Sequence, residues 1–158
     1  MGMDVTGKAP KSEAGEYFRA TVWTWRPLAL LLQDLYPDLT EKVQYLHSND
    51  GDGLEAEDAD ELGRRIARDL RDDTVLTWIR ERDAAMAAVP DEACQWCVGT
   101  GTRTDEVGVT NGMVEKGWCN GCDGKGQVRP FVTSYTLDFE DVEEFAAFVA
   151  SSGGFEVW

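Results

Sequence analysis

The stretch 137-LDFEDVEEFAAFVASSGGFEVW-158 is the most fully specified part of the chain. Asp138 is an N-cap residue type, and Leu137 and Val142 have the spacing of a hydrophobic staple around it. Glu140 and Asp141 put negative charge at the positive end of the helix that follows. Phe139, Val142, Phe145 and Val149 recur at helical intervals as one apolar stripe, and Gly153 or Gly154 supplies a left-handed stop. Phe155, Val157 and Trp158 are large and apolar, so the segment after the stop is expected to return to the core.

Helical periodicity also runs through much of the preceding chain. In "RPLALLLQDLYP", Pro27 suits a first helical position, Leu28, Leu31, Leu32 and Leu35 share a face, and Pro37 ends the run. A shorter helix is expected in "DLTEKVQYL", burying Leu39, Val43 and Leu46. Ala59, Leu62, Ile66 and Leu70 mark another, with Asp52 and Glu55 in capping-box spacing before it. Val75, Ile79, Met86 and Val89 mark a further helix that Pro90 terminates. "EYFRATVWTW" alternates as a strand does, but Phe18, Val22 and Trp25 also fit a helical stripe, and helix is the reading adopted. "PFVTSYTL" has strand composition. Residues 1–15 are polar and punctuated and read as a flexible N-terminus. The expected fold class is α+β: a single, mainly helical domain over 16–158 with a small β-rich arm inserted at 93–129.

Composition narrows the function classes. The chain has 158 residues, 15 Lys and Arg against 30 Asp and Glu, and a formal net charge of −15. Binding a phosphate backbone requires clustered cations, and no segment has a basic surplus, which disfavours direct nucleic-acid binding. No run of about 18 apolar residues occurs and no charged-then-apolar leader opens the chain, so no membrane association and a cytoplasmic location are expected.

All four cysteines lie in two copies of one octet, 94-CQWCVGTG-101 and 119-CNGCDGKG-126. A C-x-x-C turn presents two sulfurs to one metal, and two such turns supply a tetrahedral Cys₄ set for Zn²⁺. The 21 residues between the pairs are close to the spacing of known zinc sites. The glycines that follow each pair permit positive φ and let backbone amides turn toward the sulfurs. Disulfides would suit a secreted chain, and a thioredoxin-like motif would begin a helix where these glycines stand. One structural zinc on Cys94, Cys97, Cys119 and Cys122 is therefore expected, with no open position for activating water. "TRTDEVGVTNGMVEKGW" between the octets reads as a β-arm, with Val107, Val109 and Met113 along it and "TNG" as its turn. Trp96 and Trp118 stand beside the ligands, as shields for the metal or as contact anchors.

The octet resembles the repeat of the DnaJ-type cysteine-rich family, in which paired repeats hold zinc in a hairpin-like arm. The resemblance covers residues 94–126 and implies zinc ligation by the same four cysteines. That family carries four repeats and two zincs, whereas two repeats occur here, and the J-domain's His-Pro-Asp signature is absent. In repeat count the octets are similar to the anti-TRAP family of small bacterial proteins, one-zinc modules that bind and block another protein. The order "WRPL…CxxCxGxG…CNGCDGKG" also resembles a family of small acidic proteins of bacteria and their phages, a resemblance that implies no activity.

His47, Asn49 and Asp50 in "HSNDGDG" form the other polar cluster, a potential acid–base or ligand site that is also explained as a turn leading into a helix cap. The calcium-loop template fails there, because counting from Asp50 puts Leu54 and Glu55 where an oxygen ligand and Gly are required. No phosphate loop, dinucleotide fingerprint or nucleophile elbow appears, so no catalytic residue is assigned. The sequence thus points to a zinc-binding protein-interaction or inhibitory module with a protein partner. Two alternatives stand beside it: an acidic nucleic-acid mimic that blocks a DNA-binding or defence protein, and a small-molecule or nucleotide enzyme with its site near His47 and Asp50.

Overall fold

The computed structural model describes residues 2–158. In chain order its elements are strands β1 (Gly2–Gly7) and β2 (Tyr17–Thr21), helices α1 (Val22–Leu35) and α2 (Pro37–Thr40), strand β3 (Asp52–Leu54), helices α3 (Ala56–Arg71) and α4 (Thr74–Ala88), strand β4 (Glu92–Ala93), helix α5 (Glu106–Thr110), strand β5 (Gln127–Val128), helix α6 (Phe139–Ser152) and strand β6 (Phe155–Val157). The chain is α+β and mainly helical. It divides into two compact units, one made of the chain up to Ala84 with Tyr135–Trp158 and the other of Ala85–Ser134.

The larger unit is built on an antiparallel sheet in the order β2-β1-β6-β3. Val5 pairs with both Phe18 and Val157, Met3 with Ala20, and Leu54 with Phe155. These residues are buried, while Asp4, Thr6 and Glu156 between them are not. One face of the sheet is therefore core, as strand alternation requires. Helix α6 packs on β1, β2 and α3. Its stripe of Val142, Phe145 and Val149 is fully buried. The Phe145 ring meets Phe18 edge-on at 5.3 Å, Trp25 at 5.9 Å and Phe155 at 6.0 Å between centroids. Such pairs add to the area each ring removes from water. At the start of α6, Asp138 N–H donates to the Asp141 carboxylate at 2.9 Å. At its end Gly153 takes the left-handed conformation, with φ 63°.

Several sequence expectations are corrected. Residues 2–7 form the strand β1 inside the sheet and are not a flexible lead-in, because Met3 and Val5 acquire their burial from partners distant in sequence. Residues 17–21 are strand β2, and the helix begins at Val22, capped by Thr21 Oγ1 accepting from Thr24 N–H. Pro27 consequently lies inside α1 and not at its start. Leu39, Val43 and Leu46 are buried as expected, but helix α2 covers four residues and the rest turns. Asp52 caps nothing: it lies in β3, and its carboxylate accepts from Tyr45 N–H at 3.0 Å and Gly53 N–H at 2.8 Å. "PFVTSYTL" contains a short 3₁₀ turn, Phe131–Ser134, in place of a strand. Phe155 and Val157 do return to the core as β6, whereas Trp158 is half exposed, its ring lying over Gly51.

One buried carboxylate is fully satisfied. Asp69 on α3 accepts from the Tyr36 hydroxyl at 3.0 Å and from Arg68 Nε at 2.7 Å. Burial, then the hydrogen bond to Asp69, pushes the Tyr36 hydroxyl far above its ordinary pKa, so it remains a donor. On the outer face of α3, Arg64 and Arg65 both pair with Glu61. Among the described residues, no helix is long and apolar enough to cross a membrane.

Because Phe145 joins the sheet to α1 and α6, Phe145→Ala should cost about 3–5 kcal/mol through lost burial and the cavity left behind. Urea unfolding followed by far-UV circular dichroism measures this.

Candidate metal centre

The smaller unit contains the two octets. Strands β4 and β5 close its base, pairing Glu92 with Val128 and Ala93 with Gln127. Arg129 ties the end of α4 to this base: its guanidinium donates to the carbonyls of Met86 and Val89 at 2.8 and 2.5 Å, where the helix runs out of amide donors, the Met86 carbonyl also accepting from Val89 N–H at 3.3 Å.

Each octet folds as the same knuckle. Val98 and Asp123 have φ near 51° and 52°, Gly99 and Gly124 have 83° and 74°, and Gly101 and Gly126 have 78° and 77°. These turns aim the final amide of each octet back at a sulfur. Gly101 N–H donates to Cys97 Sγ at 3.3 Å, and Gly126 N–H to Cys122 Sγ at 3.1 Å. The two knuckles meet backbone to backbone. A Cβ at Gly101 would lie 2.5 Å from the Gly124 carbonyl, and one at Gly126 would lie 2.4 Å from that of Gly99. The last glycine of each octet is therefore required twice, for its left-handed conformation and for the close approach.

All four sulfurs lie within 4.8 Å of one another, and all four cysteines are free and buried. Cys94 and Cys119 sulfurs are 4.0 Å apart, and those of Cys97 and Cys122 are 3.7 Å apart. A tetrahedron with Zn–S of about 2.3 Å has edges of about 3.8 Å, so the arrangement fits a tetrahedral metal ion. Two thiolates would come from each knuckle, leaving no position for water. Burial works to raise the Cys97 thiol, but the Gly101 amide and the neighbouring sulfurs outweigh it and bring it down to about 7. At Cys122 burial prevails over the Gly126 amide and, with the other sulfurs, raises the thiol to about 11. One sulfur thus ionises readily and a second resists until a cation compensates the charge.

A cation already stands beside the sulfurs. Arg103 is nearly buried and grips Asp105 through two parallel bonds, Nε to Oδ1 at 2.8 Å and Nη2 to Oδ2 at 2.9 Å. Its Nη1 donates to Asn120 Oδ1 at 3.0 Å. Its guanidinium covers the Trp96 ring at 4.7 Å. Asp105 first, and the charges of Cys119 and Cys94 further down, raise the Arg103 pKa, so it stays a cation beside a set that carries −2 with a bound divalent ion. Asp105 also caps α5 by accepting from Gly108 N–H at 3.0 Å. The segment between the octets is therefore not the expected β-arm: Val107 and Val109 lie on the short helix α5, Met113 is buried after it, and strand is confined to β4 and β5. Arg103, Asp105 and Asn120 were not among the expected site residues. The Arg-x-Asp spacing in "TRTDEV" is the one local signal for them.

Trp96 and Trp118 flank the cluster. Trp96 packs its ring edge on Gly121, and Trp118 Nε1–H donates to Asp123 at 3.3 Å. Both rings remain partly in solvent, Trp96 at 49% and Trp118 at 38% of full exposure.

His47, Asn49 and Asp50, in the larger unit, each bond to a different partner, and His47 and Asn49 line one hollow. His47 Nε2 lies 2.9 Å from Gln33 Oε1, Asn49 Nδ2 donates to the Gly2 carbonyl at 3.2 Å, and Asp50 accepts from Ser48 Oγ at 2.5 Å. Burial first, then the charge of Arg26, lowers the His47 pKa. Among the described residues the imidazole is paired with the Gln33 amide oxygen and with no carboxylate, the partner that orients a general base.

Titration with Zn²⁺ is expected to saturate at one ion per chain and to release protons. Affinity should fall as the pH drops through about 7, where Cys97 takes up its proton, and strengthen above it, because each proton competes with the metal. Calorimetry in buffers of different ionisation enthalpy reads both. Arg103→Met should weaken zinc binding about 10–100-fold with stoichiometry unchanged, measured by competition with a chromophoric chelator.

Compared with protein-family models, with curated proteins and with solved structures, the chain matches none.

Proposed function

We propose that the chain is a zinc-binding protein-interaction module in which one structural Zn²⁺, held by Cys94, Cys97, Cys119 and Cys122, fixes a contact surface that binds and blocks or regulates a protein partner. The donor set supports zinc: four buried thiolate-forming sulfurs at tetrahedral spacing with amides aimed at two of them. A role of this kind matches the DnaJ-type and anti-TRAP modules that the octets resemble, and free thiols in a metal set suit the reducing cytoplasm of a bacterium or an infected cell.

The observation that carries the interaction reading is Val98. It is a β-branched residue held at φ 51°, and it is 82% exposed. The equivalent position of the second knuckle holds Asp123, a residue type that tolerates this conformation. A valine here costs roughly 1–2 kcal/mol in backbone strain and gains no burial within the chain. Strain of this sort persists at sites of function, where the side chain is used by something else. Trp96 stands half exposed two residues away, as aromatic anchors of interfaces do before a partner covers them.

Val98→Asn should stabilise the zinc-loaded protein by about 1 kcal/mol, since asparagine accepts the left-handed conformation. The same substitution should weaken partner capture, and Trp96→Ala should weaken it by about 2 kcal/mol or more. The check is thermal unfolding alongside affinity capture from bacterial lysate, with zinc content measured for each form. Capture unchanged in both variants at full zinc occupancy would remove the arm from the function.

A further inference from the structure

The larger unit holds a hollow of about 380 Å³ whose chemistry runs against the rest of the chain. Although acids outnumber bases two to one overall, no Asp or Glu lines it. Val22 presents the apolar wall, backed by the buried Met3 and Trp25, and the polar rim includes Arg26 and His47. Tyr135 closes one side, with the Arg26 guanidinium 5.4 Å from its ring centroid.

Three features give this hollow a positive, hydrogen-bonding rim. No carboxylate among the described residues lies within ion-pair distance of Arg26, so its position is set by stacking on Tyr135 and its planar fork of N–H donors is uncommitted. Val22 is the first residue of α1, which places the hollow at the positive end of a 14-residue helix. His47 is held neutral by burial and by Arg26. Gln33 Oε1 can only accept, so Nε2 carries the imidazole proton and Nδ1 is left as an acceptor. An anion with a flat apolar body satisfies all of these: charge on the fork, body against Val22 and Tyr135, and any hydroxyl or amine toward the imidazole. The volume suits a molecule of roughly 10–15 non-hydrogen atoms.

We propose that this hollow is a binding site for a small organic carboxylate with a flat apolar body, its carboxylate paired with Arg26 and its body packed against Val22 and Tyr135. The residues lining the hollow all belong to the larger unit, and the role assigned to it is binding alone.

The test uses the full zinc-loaded chain labelled with ¹⁵N and three probes: 2-naphthoate, its neutral counterpart 2-naphthylmethanol, and inorganic phosphate. The Trp25 indole N–H, which donates to the Leu46 carbonyl at 2.8 Å, reports occupancy together with the Asn49 amide. Naphthoate is expected to shift both signals saturably at concentrations up to about 5 mM, with the alcohol and phosphate each at least about tenfold weaker. Arg26→Met should lose about tenfold or more in naphthoate affinity, and Arg26→Lys should recover part of it, because a charge returns without the fork. Arg26 is exposed, so both variants are expected to keep the native spectrum elsewhere. The proposal is overturned if naphthoate gives no saturable shift, if its shifts map to other residues, if Arg26→Met binds as tightly as the native chain, or if phosphate alone binds as well as naphthoate.

Discussion

Burial of the Phe145 ring is the interaction on which the larger unit depends. The ring touches β2 through Phe18, α1 through Trp25 and β6 through Phe155, and it sits on the helix that covers the sheet. Phe148 extends the cluster to Phe18 and Phe155. Among the described residues no strand exceeds six residues, and such short strands need a shared apolar face to persist. The aromatic cluster supplies that face. The rest of the unit, including the arginine-rich outside of α3, hangs from it through helix packing.

The smaller unit solves a different problem. Four sulfurs this close repel one another once ionised, and the unit has little apolar core to hold them. Its geometry comes from backbone: left-handed turns, amides directed at sulfur, and glycines that let two chains touch. Arg103 adds a fixed positive charge, oriented by Asp105 and Asn120 and covered by Trp96. With an ion bound to the sulfurs, such a unit would gain much of its stability from that ion, and its outer surface could remain apolar and strained at Val98.

What could be read from the sequence divides along the same line between local and distant causes. The α6 helix was legible because its cap, stripe and stop all lie within the helix, and the four cysteines because the C-x-x-C turn is itself a local structure. Strand β1 was not, since "GMDVTG" shows two apolar residues in six and becomes buried only through distant partners, β2, β6 and helix α6. Helix α5 was misread as strand because five residues are too few for helical periodicity to show, while alternating Val107 and Val109 imitate a strand. Arg103 was invisible for a related reason: its role exists only where residues 96, 105 and 120 come together.

The pairing of Val5 with Val157 has a consequence for how the molecule is made. Partners about 150 residues apart cannot meet until nearly all of the intervening chain has been synthesised, and contacts of such long range slow folding. The sulfur pairs are 25 residues apart and need no distant segment. During synthesis the two units therefore run on separate clocks, the knuckles closing early and locally while β1, with β2 beside it, waits as an open edge for β6.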